Sequence, residues 1–238
     1  MLSRIFNKFF SESLTITPPS YVNRHQDRNF LILGGGPSIK ENIDKIKKLQ
    51  EELNPVVIAV NRAHDEINID YHAFTNRKRL ESNSKLIRKN AKLLLGVHLP
   101  KKIINKFKNY DLVMYQNTES DFSINNGIIG SNCRTSAVLM IAVAFVMGAK
   151  EIFIAGLDGY SNLIKSKKDI HFWEEEGVEN RAYNEYLLRI EALNDKYLNQ
   201  INKFLMKKGH PKLKIITETT HLEYFYPAEK LLFKSRSD

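Results

Sequence analysis

The sequence predicts an α/β fold with three layers, in which a mostly parallel, Rossmann-like sheet carries helices on both faces. From Asn29 onward, short apolar runs alternate with polar stretches of helical periodicity, and this alternation is typical of βαβ units. The first apolar run leads directly into a glycine-rich turn that begins at Gly34. A turn of this kind follows the first strand of many nucleotide-binding sheets.

The predicted strands are short runs rich in aliphatic and aromatic residues, as expected of strands buried on both faces. They cover residues 30–33, 56–60, 71–74, 93–96, 112–115, 151–155 and 214–217. The predicted helices between them cover residues 39–53, 77–90, 99–108, 133–147 and 178–208. We interpret residues 21–238 as one domain, because the length fits a single α/β core.

Residues 1–20 are predicted to form an amphipathic arm ahead of that domain. Apolar residues from Leu2 to Leu14 recur at helical spacing, and Pro18-Pro19 ends the pattern. Such a helix either packs on the protein or on a partner, or lies on a membrane surface. The run Leu231-Leu232-Phe233-Lys234 is a second candidate for membrane contact.

Composition limits the function classes. A formal net charge of +9 indicates anionic ligands, namely nucleotide phosphates, acidic sugars, nucleic acid or anionic lipid. Nucleic acid is disfavoured because basic and aromatic residues do not interleave as a stacking platform requires. The lone Cys133 and the lack of a long apolar segment predict a cytoplasmic protein, with peripheral contact to the inner membrane face and homo-oligomerisation left open.

The glycine-rich turn is the first candidate for ligand binding. It reads Gly34-Gly35-Gly36-Pro37-Ser38 and is followed by Glu41, which has capping-box spacing from Ser38. Glycines let the backbone turn tightly, and the helix that follows presents amides to an anion. A plain strand-to-helix turn is the alternative, because neither the dinucleotide pattern nor the Walker pattern is complete.

Polar residues recur where other predicted strands end. Asn61 and Asn76 follow the second and third strands, Arg134, Thr135 and Ser136 precede the apolar helix, and Asp158 follows the strand at 151–155. Because the carboxyl ends of parallel strands share one edge, we expect these groups to converge on a ligand. Individually, Arg134 could instead pair with an acid, and Asp158 could simply form a turn.

His171 is the candidate general base, although a lone histidine is more often structural. The chain contains no Asp-x-Asp pair of the kind that holds a divalent ion on a sugar diphosphate. We therefore predict no metal site.

These motifs resemble those of the small bacterial sialyltransferases that use CMP-activated sialic acid, and of the related MptE-like and motility-accessory domains. The family opening, strand, Gly-Asn-Gly-Pro-Ser-Leu, helix, corresponds to residues 34–39, with Gly35 in place of the asparagine. A second match extends from Thr135 through Gly148 and Gly156 to Tyr160. The resemblance covers roughly residues 29–172.

The resemblance implies transfer of an acidic, nonulosonic-type sugar from a CMP-activated donor to a cell-surface glycan, with no required cofactor. It places Asn61 and Asn76 near the nucleotide and donor sugar, Tyr160 at the leaving phosphate and His171 at the base. Two alternatives stay open. One is an MptE-like 6-hydroxymethylpterin pyrophosphokinase that uses ATP and Mg²⁺, and the other is a nucleotide-binding module without catalysis.

Overall fold

The computed structural model describes residues 18–118, 121–133, 135–167, 169–173 and 181–234. Most of the predicted N-terminal arm and Arg134 lie outside these residues. The strands are β1 (Arg28–Leu33), β2 (Val56–Val60), β3 (Tyr71–Phe74), β4 (Lys92–Gly96), β5 (Tyr110–Val113), β6 (Tyr115–Gln116), β7 (Ser123–Asn125), β8 (Ile128–Gly130), β9 (Ala149–Ala155) and β10 (Lys214–Ile215).

The main sheet has the strand order β10-β9-β1-β2-β3-β4-β5, and every neighbouring pair is parallel. A small second sheet has the order β6-β8-β7. The α-helices are α1 (Ser38–Glu41), α2 (Ile43–Leu53), α3 (Arg77–Ser82), α4 (Lys101–Ile104), α5 (Ser136–Val146), α6 (Ser161–Lys165), α7 (Arg181–Lys207) and α8 (Ala228–Lys234).

Strand β1 shows how the sheet separates two helical layers. Phe30 and Ile32 pack into one core with residues of α5 and α7, whereas Leu31 and Leu33 pack into another with residues of α2 and α8. Successive side chains of a strand point to opposite faces, so one apolar run serves both cores. The predicted three-layer α/β fold with a parallel sheet is confirmed.

Three predicted helices are shorter in the structure, and in two of them a side-chain amide competes for a backbone group where the helix ends. The helix predicted at 39–53 is divided at Asn42, whose Nδ2 donates to the Ser38 carbonyl at 2.9 Å. The helix predicted at 77–90 ends at Asn83, whose Nδ2 donates to the Arg79 carbonyl at 2.9 Å. The helix predicted at 99–108 is reduced to α4.

The hairpin of β7 and β8 was missed at the sequence level, although its signal is present. Asn126 and Gly127 connect the strands with φ of 49° and 78°. An Asn-Gly pair in this conformation is the preferred two-residue hairpin loop.

The predicted membrane contact at Leu231 and Leu232 is wrong, because both side chains are only 8% exposed and pack in the core with α2 and β1. Burial in the protein leaves these side chains no surface to offer a lipid. Within the described ranges, no helix combines the length and the apolar character needed to cross a bilayer.

Strands β1 and β9 are neighbours in the interior of the sheet, and the backbone segments that follow them approach each other closely. The Gly34 amide donates to the Ala155 carbonyl at 2.8 Å, and the Gly36 amide donates to the Gly156 carbonyl at 3.0 Å. In the sheet, β1 lies between β2, the next strand along the chain, and β9, a much later one. The strand order therefore reverses between β1 and β9. Ligands of parallel sheets bind at such a point.

Substitution of Gly34 by alanine tests this backbone contact. A β-carbon there would lie 2.2 Å from the Gly156 carbonyl oxygen, and backbone cannot rotate away as a side chain can. We expect Gly34→Ala to lower the free energy of unfolding in urea by about 2–4 kcal/mol. Gly209→Ala is the control, since nothing lies within 4 Å of a β-carbon built at that position. The substitution should cost only about 1 kcal/mol of stability, because φ there is 79°. Equal losses in the two variants would contradict a tight contact.

Candidate functional site

A cleft of about 260 Å³ lies at the carboxyl ends of the central strands. It brings together most of the residues predicted from the sequence, which come from separate loops after β1, β2, β3 and β9 and from the start of α5. The predicted residues that line it are Gly35, Gly36, Asn61, Asn76, Thr135, Ser136, Asp158, Tyr160 and His171.

Three other predicted residues lie outside the cleft lining. Gly34 packs against the backbone of Gly156, behind the turn. Pro37 and Ser38 line a separate cavity of about 540 Å³, which shares Asp158 with the cleft.

The glycine-rich turn holds a protein carboxylate at the place where the sequence predicts a ligand phosphate. The Ser38 amide donates to Asp158 Oδ2 at 2.8 Å, and the Ser38 hydroxyl contacts Asp158 Oδ1. The predicted capping box is absent, because Pro37 is the N-cap residue of α1 and no side chain caps that helix. Asp158 thus joins the turn after β9 to the turn after β1.

Asp158 titrates above its ordinary range. Burial raises the pKa of its carboxyl to about 6, the hydrogen bonds from Ser38 oppose that rise, and the charges of Glu218 and Glu41 add to it. A carboxyl group in this environment changes charge just below neutral pH.

Asn61 carries an unsatisfied polar atom at the cleft. Its backbone adopts the left-handed conformation, with φ of 61°, directly after β2. Its side-chain Oδ1 is buried and has no hydrogen-bond partner in the part of the chain that the structure describes. A buried carbonyl oxygen without a donor costs about 1–3 kcal/mol, so a ligand N–H or O–H that reached it would be bound favourably.

Helix α5 begins at the cleft without a side-chain cap. Its N-cap residue, Thr135, donates through its hydroxyl to Asn194 Oδ1 at 2.9 Å, and the Ser136 hydroxyl lies 2.6 Å from that of Thr75. Both hydroxyls are therefore engaged away from the first-turn amides. The positive end of an eleven-residue helix opens on the cleft, where an anion would be stabilised.

The turn that carries Tyr160 is held by one carboxylate. Glu191 accepts hydrogen bonds from the Tyr160 amide at 2.7 Å, from the amide and hydroxyl of Ser161, and from the Thr220 hydroxyl at 2.6 Å. Burial alone would raise the pKa of Glu191, but these donors outweigh it and the net pKa is lowered. The ionised carboxylate fixes the direction of the turn.

The Tyr160 hydroxyl is a hydrogen-bond donor at neutral pH. Burial raises the pKa of its phenol to about 12, and the neighbouring tyrosines Tyr183 and Tyr186 contribute to the rise. The hydroxyl therefore remains protonated at neutral pH and can donate to an anion in the cleft.

His171 lies between a guanidinium and an indole. Its Nε2 is 3.2 Å from Arg79 Nη2, and its ring stacks on Trp173 with centroids 4.5 Å apart. Burial and then the Arg79 charge lower the pKa of the imidazole to about 4. The ring is neutral at physiological pH.

Gly35 makes room for this aromatic pair. A β-carbon on Gly35 would lie 2.9 Å from Cη2 of Trp173 and 3.4 Å from Nδ1 of His171. The Gly35 carbonyl also accepts a hydrogen bond from the Phe172 amide at 3.0 Å. The indole thus fills the space beside the residue at which the resembling family has an asparagine side chain.

Several cleft residues were not assigned a role from the sequence. They are Arg79, Trp173, Tyr183, Tyr186 and Asn194. The signals were modest: Trp173 is the sole tryptophan of the chain, and the two tyrosines are three residues apart at the start of a long helix. Only the fold brings these residues to the same cleft as His171.

Residues 7–162 match the family model described as "6-hydroxymethylpterin diphosphokinase MptE-like". The chain belongs to the MptE-like family. The resemblance inferred from the glycine-rich turn and the second motif is confirmed to that extent. A comparison of this MptE-like chain with curated proteins found no match.

Two solved structures of the sialyltransferase CstII from Campylobacter jejuni are similar to the MptE-like chain. The complex with cytidine-5'-monophosphate shares 17% identity, covers 85% of this chain and 86% of its own, and has a TM-score of 0.46. The complex with CMP-3FNeuAc shares 15% identity, covers 84% and 85%, and has a TM-score of 0.42.

The pH dependence of stability tests the environment of Asp158. A folded-state pKa of about 6, above the ordinary 3.8, means that the folded protein binds the proton more tightly than the unfolded chain. This stabilisation is complete below the ordinary pKa and is lost as pH rises through the folded-state value. Relative to Asp158→Asn, the wild-type free energy of unfolding should fall by up to about 3 kcal/mol between pH 4 and pH 7.

Denaturant curves of the MptE-like protein measure this difference. Asp65→Asn is the control, because the Asp65 side chain is 95% exposed. A wild-type to Asp158→Asn difference that stays constant with pH would contradict the raised pKa.

Proposed function

We propose that this MptE-like protein transfers an acidic, nonulosonic-type sugar from a CMP-activated donor to a glycan hydroxyl. The observation that carries the proposal is that one cleft contains a neutral His171, a protonated Tyr160 and the uncapped start of α5. One group accepts a proton, another donates a hydrogen bond to an anion, and the helix end attracts the phosphate.

We expect the nucleotide to bind at the uncapped start of α5 and at the unsatisfied side-chain oxygen of Asn61. The first-turn amides of α5 would receive the phosphate, and Asn61 Oδ1 would accept a hydrogen bond from an amino or hydroxyl group of the nucleoside. Tyr183 and Tyr186 stack at 6.3 Å along one wall and offer aromatic surface to a base or a sugar. These contacts would orient the donor before reaction.

The chemistry then requires one proton transfer and one substitution. The proton of the acceptor hydroxyl passes to the imidazole of His171, and the acceptor oxygen attacks the anomeric carbon. The bond between that carbon and the phosphate oxygen breaks, and its electron pair leaves with CMP. The Tyr160 hydroxyl donates a hydrogen bond to the departing phosphate, which stabilises the developing charge.

The family description favours a second candidate, a 6-hydroxymethylpterin diphosphokinase. Such a reaction uses Mg²⁺ on ATP phosphates, and Mg²⁺ prefers carboxylate oxygens. Asp158 is the carboxylate that lines the cleft among the described residues, and both of its oxygens contact Ser38 donors. A single carboxylate that already accepts hydrogen bonds from Ser38 is a weak basis for a magnesium site, so this candidate stands second and we derive no step through the ion.

Binding is tested by thermal shift with CMP, CDP and a CMP-nonulosonate, and with ATP with and without Mg²⁺. A ligand that binds only the folded state raises the melting temperature. We expect stabilisation by CMP compounds without Mg²⁺, and loss of that shift in Asn61→Gly. Glycine keeps the left-handed backbone of Asn61 and removes the unsatisfied oxygen, so the variant without ligand should melt close to wild type.

Asn54→Gly is the matched control. Asn54 also has a left-handed backbone, with φ of 41°, but it precedes β2 at the opposite end of the sheet. The control should retain the CMP shift. Stabilisation only by ATP with Mg²⁺ would overturn the transferase proposal in favour of the diphosphokinase.

Turnover is tested by release of CMP from a CMP-nonulosonate, with water or a glycan as acceptor. We expect His171→Ala to lower the rate by about 10²–10⁴-fold, because a positioned general base contributes about that much. His210→Ala should leave the rate unchanged, since His210 lies beyond the end of α7, away from the cleft. CMP binding without release in the wild type would instead indicate a binding module.

A further inference from the structure

Arg79 differs from its basic neighbours in α3. Arg77 and Lys78 are exposed, and Arg77 pairs with Glu81 within the helix. Arg79 is partly buried and lines the cleft, and no carboxylate of the described residues forms an ion pair with it. A guanidinium in this position is a preorganised site for a carboxylate or phosphate.

The contact between Arg79 and His171 has a defined direction. A guanidinium carries N–H donors and no acceptor, so Nη2 donates and His171 Nε2 accepts across the 3.2 Å distance. The Nε2 lone pair is therefore occupied by Arg79 in this structure. Stacking on Trp173 holds the plane of the ring, so the hydrogen-bond partner of Nε2 can change without movement of the imidazole.

The backbone of Arg79 is anchored at the cleft. Its amide donates to Asn76 Oδ1 at 3.2 Å, which makes Asn76 the N-cap residue of α3. The side chain can thus exchange partners while the helix stays in place.

We propose that Arg79 is an anion-binding residue that also positions His171: a carboxylate or phosphate in the cleft takes the guanidinium from Nε2, which then accepts the proton of the acceptor hydroxyl. The inference rests on the proposed function for the role of His171 as base. Under this proposal, binding of the donor releases His171 Nε2 from Arg79 and so allows His171 to act as a base. The donor would then be required before the acceptor hydroxyl is activated.

The charges around His171 agree with this coupling. Arg79 approaches from α3, Asp169 lies on the same segment as His171, and Asp158 lines the cleft behind Gly36. Arg62 lies over the indole ring of Trp173, with its Cζ 5.9 Å from the ring centroid. Because burial and the Arg79 charge hold the His171 pKa near 4, an anion paired with Arg79 removes part of the depression and raises the pKa.

The test is an NMR pH titration of the imidazole signals of the full-length chain, with the His171 signal identified by its loss in His171→Ala. We expect the His171 pKa to rise when CMP or inorganic phosphate is added, and to rise without ligand in Arg79→Gln. Arg79→Gln should also weaken CMP binding by about tenfold or more, the loss expected for a charge-assisted hydrogen bond. Arg79→Lys should recover part of the affinity.

Arg77→Gln is the matched control and should change neither the His171 pKa nor the affinity. The inference is overturned if CMP binds and the His171 pKa stays near its ligand-free value. If CMP fails to bind, the proposed function fails, and the coupling is then judged by Arg79→Gln alone. An unchanged pKa in that variant would refute it, whereas a raised pKa would support it.

Discussion

The close approach of two backbone turns, one after β1 and one after β9, is the constraint on which the rest of the site depends. Gly34 and Gly36 donate to backbone carbonyls at the end of β9, and no β-carbon fits between the chains at Gly34. This contact brings Asp158 over the start of α1, where Ser38 holds it. The turn that carries Tyr160 follows directly, and Glu191 sets its direction.

Burial at this edge decides the protonation of the functional groups. Desolvation is the largest cause of the shifts at Asp158, Tyr160 and His171, and in each case it favours the neutral form. At neutral pH the cleft therefore holds Tyr160 and His171 uncharged, whereas Asp158 is mostly ionised and Arg79 carries a fixed positive charge.

The sequence predicted those features that depend on local patterns of apolar and polar residues. The alternation of apolar runs predicted the parallel sheet. Polar residues after strands or before the apolar helix were expected to converge, and Asn61, Asp158 and Thr135 do line one cleft. Helix lengths were less predictable, because Asn42 and Asn83 end helices through contacts that periodicity does not encode. The capping role predicted for Ser38 failed because a carboxylate distant in the chain reaches Ser38 first.

The sequence by itself determined the order of strands and helices, the glycine turn and the chemical types available at the carboxyl edge, since these follow from local patterns of apolarity and backbone freedom. Only the tertiary structure decided which of those groups face each other. The pairing of Arg79 with His171 and the contact of the Trp173 indole with Gly35 join segments far apart in the chain. The packing of the described residues also leaves the Asn61 oxygen without a donor. Contacts of that kind depend on packing and desolvation, which no local pattern records.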